Sequence, residues 1–361
     1  MNPIGKRNKQ LFETADVNAV LLRTSEGLPD ANVSYFTGLN NLFLSNHVLA
    51  LKPSAQPLLL KSVLEPKILV KGVRVKRINR RKEFKSSLKH ELKGVKKLGI
   101  NRPLYSSAAI AALKRITGKR KLIDVSRQLA SMRATKSMEE IANIRIACGI
   151  AEGVAAKIPR LFKRGMTEKQ LALKIEVLLR ERGENLLPFP VIVASGKNAA
   201  FPHHVPGSKK IGKGLLLLDF GAYHKNYCSD ITRMFSVGKP TEKQKQLYAS
   251  VFAAKHFGQA LCEPGASFGE VFDEASKYLE KETGYKLIHG LGHGLGVEAH
   301  DCPSGFLHGN KEKLKSGMVL TVEPGIYGKF GGIRVEDDVV VTSGGCKPLT
   351  SAPAELVQIG K

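Results

Sequence analysis

The chain has 361 residues, 42% of them hydrophobic, enough for two domains that each bury a core. Its net charge is +25, and none of its aliphatic runs, Leu215 to Leu218 among them, is long enough to span a membrane. Five widely spaced cysteines without a C-x-x-C pair exclude a disulfide framework and a zinc ribbon, and the basic opening stretch lacks the apolar core of a secretory signal, so the sequence reads as a soluble, cytoplasmic chain.

In chain order, "AVLLR" (19–23), "VLALK" (48–52) and "PLLLK" (57–61) are short apolar runs suited to buried strands, and "SSAAIAALKRI" (106–116) suits a helix. These predict an α/β domain over residues 1–126. That stretch holds 25 basic and 8 acidic side chains, with 12 against 2 in residues 71–100. A surface so charged attracts polyanions non-specifically. One phenylalanine in the run, with no interleaved aromatics, argues against base-specific recognition.

Residues 127–136 read as a linker and 137–361 as a second, α+β domain. Four capping boxes punctuate it: Ser137 with Glu140, Thr167 with Gln170, Thr241 with Gln244, and Ser267 with Glu270. After the first two helices come the strand-like runs "VIVASG", "GLLLLDFGA" and "SDITRMFSV". After the second two come "KLIHG", "MVLTVEPGIY" and "GIRVEDDVVVT". One plan is used twice. "GMTEKQ" (165–170) and "GASFGE" (265–270) share G-x-[ST]-x-x-[QE], "DFGAY" (219–223) and "EPGIY" (323–327) share [DE]-x-G-x-Y, and Asp230 answers to Glu336 on the strand after each. The repeat predicts two helix-and-sheet halves facing each other across a pseudo-two-fold axis.

Asp219 ends a strand apolar enough to be buried on both faces, where a carboxylate is costly unless paired or bound to a metal. Four acids at repeat-related positions, Asp219, Asp230, Glu323 and Glu336, repel one another unless cations lie between them. Two divalent ions would neutralise the set. In "HGLGHGLGVEAH" (289–300) the glycines allow close backbone approach, and His293 is the imidazole expected to complete the site. Oxygen-rich donors with one imidazole suit manganese or cobalt, with zinc or iron as alternatives. Such a pair lowers the pKa of water and polarises a carbonyl, which is hydrolytic chemistry. The chain shows no G-x-S-x-G nucleophile elbow between strand and helix, since its one such string, "GASFG" (265–269), opens a helix as a capping box. It has no H-E-x-x-H or G-x-G-x-x-G either, so nothing suggests a serine hydrolase, a zincin or a dinucleotide fold.

"HGLGHGLGVEAH", "LLLLDFGAYHKNYCSDITR", "TVEPGIY" and "GIRVEDD" resemble the Xaa-Pro peptidases, prolidase and aminopeptidase P, of metallopeptidase family M24. The likeness covers 137–361, and "DANVSYFTGLN" more weakly resembles the creatinase-like amino-terminal domain of that group. It implies a pita-bread catalytic domain and Asp219, Asp230, His293, Glu323 and Glu336 as dinuclear metal ligands. By the same resemblance Glu323 is the general base, His203 and His300 contact the substrate, His289 contacts it or supports the loop, and Arg334 orients a ligand carboxylate. Proline-containing peptides are the implied substrates and a homodimer the implied assembly. Ser304 stands where many prolidase-like sequences carry an arginine associated with a dipeptide's carboxylate, which tilts this reading toward an Xaa-Pro aminopeptidase over the Xaa-Pro dipeptidase. Methionine aminopeptidase and a non-catalytic nucleic-acid-binding relative are the remaining alternatives; the amino-terminal domain weighs against the first and the intact acids against the second.

Overall fold

The computed structural model describes residues 3–25, 29–40, 47–353 and 355–360. The first two residues of the basic opening stretch lie outside them. Two compact units divide between Met132 and Arg133.

The first unit runs α1 (Pro3–Thr14), β1 (Ala19–Arg23), α2 (Ala31–Thr37), β2 (Val48–Leu51), β3 (Leu58–Ser62), β4 (Arg74–Ile78), α3 (Arg81–Glu91), β5 (Lys97–Ile100), α4 (Ser107–Thr117), β6 (Lys121–Asp124) and then α5 (Ser126–Ala134). Its six-stranded sheet has the order β4-β3-β2-β1-β5-β6, with β1 antiparallel to β2 and parallel to β5. The apolar runs read from sequence are its central strands. β4 falls inside the basic run and has no apolar alternation; it forms an edge strand through parallel pairing with β3. Residues 127–134, read as part of a linker, are helical in α5.

The second unit runs α6 (Met138–Ala155), α7 (Ile158–Leu161), α8 (Glu168–Arg182), β7 (Ile192–Ser195), β8 (Gly214–Phe220), β9 (Tyr223–His224), β10 (Tyr227–Cys228), β11 (Ile231–Val237), α9 (Glu242–Ala260), α10 (Phe268–Thr283), β12 (Val319–Val322), β13 (Gly325–Gly328), β14 (Gly331–Arg334), β15 (Asp337–Thr342), β16 (Gly345–Pro348) and β17 (Val357–Ile359). All four capping boxes form, each cap side chain and each third-position acid or amide bonding to the other's backbone. Its principal sheets have the orders β17-β11-β8-β7 and β12-β15-β16. β8 explains its own leucine run. Leu216 and Leu218 pack with Ile175 and Leu179 of α8, while Leu215 and Leu217 join a second core with Val251 of α9 and Leu320 of β12. A strand with core on both faces has no polar side to show.

The internal repeat is written in the backbone. Glu168 N–H donates to Lys209 O at 3.1 Å as Phe268 N–H donates to Glu312 O at 3.0 Å, and Ile211 N–H reaches Met166 O as Leu314 N–H reaches Ala266 O. One expectation fails: "KLIHG" is not a strand. The segment beside β12 is instead 291–295, where Thr321 N–H donates to His293 O and Leu295 N–H to Val319 O. Among the described residues no helix is long and apolar enough to cross a membrane.

Candidate metal centre

Each half supplies its acids from equivalent places. Asp219 lies near the end of β8, opposite Thr232 of β11, and Asp230 directly precedes β11. Glu323 directly follows β12, and Glu336 directly precedes β15. His293 comes from the 291–295 segment. Gly292 has φ +154, and a Cβ there would collide with the carbonyl of Thr321, so only glycine lets that segment close on β12. The glycine density in the sequence is the mark of this approach.

Asp230, His293 and Glu336 each offer a ligand atom within 4.8 Å of the others. His293 Nε2 lies 3.7 Å from Asp230 Oδ2 and 3.3 Å from Glu323 Oε1. Its Nδ1 donates to Gly294 O at 3.1 Å, which leaves Nε2 with its lone pair toward the acids. Asp219 Oδ2 accepts from Arg334 Nη2 at 2.6 Å, while its buried Oδ1 has no hydrogen-bond partner. Burial, then mutual repulsion, pushes the carboxyls of Asp230 and Glu336 well above the carboxylate range, and burial raises Glu323 against the pull of His289 and Arg334. Burial also lowers His293, keeping it neutral. An orphaned carboxylate oxygen, neighbouring acids that resist sharing negative charge, and a neutral imidazole facing them make a donor set that fits divalent cations.

The surrounding hydrogen bonds run in one direction. Arg334 Nε donates to Thr232 Oγ1 at 3.1 Å, and Thr232 donates on to Glu336 Oε2 at 2.7 Å. Arg334 Nη1 donates to Tyr327 Oη at 2.9 Å, and Tyr327 donates to His289 Nε2 at 2.8 Å, whose Nδ1 donates to Gly290 O. Both nitrogens of His289 are thus engaged within the chain. His300 is exposed and stacks on His293 with ring centroids 3.7 Å apart. His203 is exposed, and the carbonyl of Pro202 just before it accepts from Arg334 Nη2 at 3.4 Å, which ties this segment to the guanidinium that holds Asp219.

Sequence reasoning missed Asp338, Thr232, Tyr327 as a hydrogen-bonding group, and the pair Glu168 and His204. Asp338 is fully buried and pushed up to about 8 by burial; its Oδ2 accepts from Asp230 N–H at 3.0 Å and from Cys148 Sγ at 3.3 Å. The two-residue strand period of "EDD" already puts Asp338 on the face of Glu336. Asp337, on the opposite face, is held by Lys255 Nζ, by Arg233 Nη2 at 3.1 Å, by Thr350 Oγ1 at 3.0 Å and by Ala352 N–H at 3.2 Å.

This arrangement suits a metal-dependent hydrolase, and comparison with known proteins gives the class. Residues 142–343 match metallopeptidase family M24, and the chain belongs to that family. A relative described as Xaa-Pro dipeptidase, from Pyrococcus horikoshii, is 33% identical over 99% of this chain and 100% of its own length. Among solved structures, an X-Pro aminopeptidase from Thermotoga maritima superposes with a TM-score of 0.86 at 28% identity, covering 97% of this chain and 100% of that one. A prolidase from Pyrococcus horikoshii gives a TM-score of 0.85 at 30% identity over 98% and 99%. The chain is a peptidase with the pita-bread fold of this family, behind an amino-terminal domain.

Proposed function

We propose that this chain hydrolyses the bond between an amino-terminal residue and proline, in a dinuclear centre held by Asp219, Asp230, His293, Glu323 and Glu336. The approach of Asp230, His293 and Glu336 within 4.8 Å carries the reading. Bound there, divalent ions, manganese or cobalt before zinc or iron, would supply an acidified water and a polarised scissile carbonyl. The chain's own groups do the rest. Glu323, whose Oε1 accepts from Thr321 Oγ1 at 3.1 Å, takes and returns a proton at its carboxylate. An Xaa-Pro amide has no hydrogen on its leaving nitrogen, so that nitrogen must be protonated as the bond breaks. His203 and His300, exposed beside the centre, face the carbonyl oxygen and the peptide. Arg334 orients Asp219, and His289 supports Arg334 through Tyr327.

The relatives shift the balance from the aminopeptidase reading toward an Xaa-Pro dipeptidase, because relatives at 33% and 37% identity, one of them matched over its whole length, carry that description. Ser304 keeps the aminopeptidase as the second reading: its Oγ donates to Glu312 Oε2 at 2.7 Å and accepts from Asn310 Nδ2, with no cation in this cluster for a dipeptide's carboxylate. The assay is turnover of Gly-Pro, of tripeptides with proline second, and of Met-Ala-Ser, each with and without manganese. Gly-Pro cleavage supports the dipeptidase and tripeptide cleavage alone the aminopeptidase. Hydrolysis of Met-Ala-Ser alone, or of nothing in any metal, removes the proposal. The exposed Lys76 of β4, Arg80 before α3, and Arg81, Lys82, Lys85 and Lys89 of α3 support non-specific polyanion contact as a separate property, tested by whether oligonucleotide binding weakens steeply with salt.

A further inference from the structure

Glu168 takes no part in the metal centre, yet it is fully buried. It opens α8, just after the cap Thr167, where an acid ordinarily stays in water near the free N–H groups of the helix start. Here its Oε1 accepts from Ser195 N–H at 2.8 Å and Asn198 Nδ2 at 2.9 Å. Its Oε2 meets His204 Nε2 at 2.8 Å and accepts from Gly207 N–H at 3.4 Å. All four partners lie within residues 195–207, the segment that carries Pro202 and His203.

Burial works against the charge of Glu168, but the bonds from His204, Ser195 and Asn198 outweigh it and hold the group below the usual carboxylate range. A carboxylate there obliges His204 to donate from Nε2. His203, its neighbour in the chain, is left exposed. The far side of the segment is tied as well: Pro202 O accepts from Arg334 Nη2 at 3.4 Å, the guanidinium that holds Asp219. At the equivalent position of the second half stands Phe268, packed on Phe306 with ring centroids 4.9 Å apart. There the same backbone frame is filled with hydrocarbon.

We propose that Glu168 is a positioning residue for the substrate: by clamping His204, Asn198 and Gly207 it fixes residues 196–207 so that His203 is presented to the peptide at the metal centre. The inference rests on the peptidase reading. Its test is kcat and KM of the metal-loaded full chain for wild type, Glu168→Gln, Glu168→Ala, His203→Ala and the double variant Glu168→Ala/His203→Ala. Metal content and backbone hydrogen exchange over 196–207 are measured alongside.

Glu168→Ala is expected to lower kcat/KM by about 10- to 100-fold, the scale of a misplaced substrate contact, with metal content unchanged and exchange over 196–207 accelerated. Glu168→Gln keeps the size and loses the charge, so it falls between. The double variant is expected to be no worse than His203→Ala, because both changes remove one contact. Losses that multiply in the double variant, or exchange that stays at the wild-type rate, overturn the proposal. If Glu168→Ala does not fold, Glu168→Gln combined with His203→Ala makes the same comparison. A wild type that turns over no proline peptide sinks the peptidase reading instead, and the exchange measurement still judges the clamp.

Discussion

The two halves of the catalytic unit share a backbone plan and differ in what fills it. In the first half β7 lies against β8 with Ala194 opposite Leu217; in the second, His293 occupies the matching place opposite Thr321. The first half anchors its loop on the carboxylate of Glu168, the second on the ring of Phe268. Each contributes acids at its strand ends. Symmetry of the main chain therefore places the carboxylates, and asymmetry of a few side chains gives one half the imidazole and the other the loop that carries His203 and His204. A duplicated frame is cheap to specify with local signals, while the chemistry is concentrated where the copies diverge.

The comparison can be broken at several strengths. If the halves contribute jointly to one centre, Asp230→Ala and Glu336→Ala should each abolish turnover and strip bound metal, measured by assay and elemental analysis. Near-normal rates and metal in either variant would mean that its half is dispensable. Gly292→Ala should cost about 2–3 kcal/mol in urea unfolding, since it forces a side chain into the main chain of β12. A loss under about 0.5 kcal/mol, the scale of a neutral surface change, would show that close approach is not what admits His293.

The smallest effect concerns acid. Glu168 sits below its ordinary value of 4.5, so its stabilising share is present above that pH and lost as pH falls through the lower folded value. The stability gap between wild type and Glu168→Gln should be level above pH 4.5 and shrink below it. A gap that widens in acid contradicts an ionised clamp.

What could be read without coordinates was whatever is local or strictly periodic. The capping boxes lie three residues apart and need nothing distant, and all four formed as read. The leucines of β8 announce a strand buried on both faces by composition alone. "KLIHG" misled because apolar content cannot tell a strand from a segment whose pairing place is taken by its neighbour, here 291–295. Glu168 was invisible for a different reason: an acid in the first turn is what any exposed helix carries, and its burial depends on groups 27 to 39 residues further along. β4 hid behind its charges, since pairing with β3, and no apolar pattern of its own, makes it a strand.

Glu336, Asp337 and Asp338 are three acids in a row, and to a strand seeking its partner they are nearly interchangeable. A slip of one residue in β15 would turn Asp337 toward the metal site and drive its two neighbours into the far side of the sheet. Lys255 and Arg233, on that far side, hold the carboxylate of Asp337. The buried cations thereby favour one registration of the strand, and the spacing of the centre depends on side chains that grip its frame from behind: Arg233 bonds the backbone carbonyl of Glu336 and Lys255 the carboxylate of Asp337.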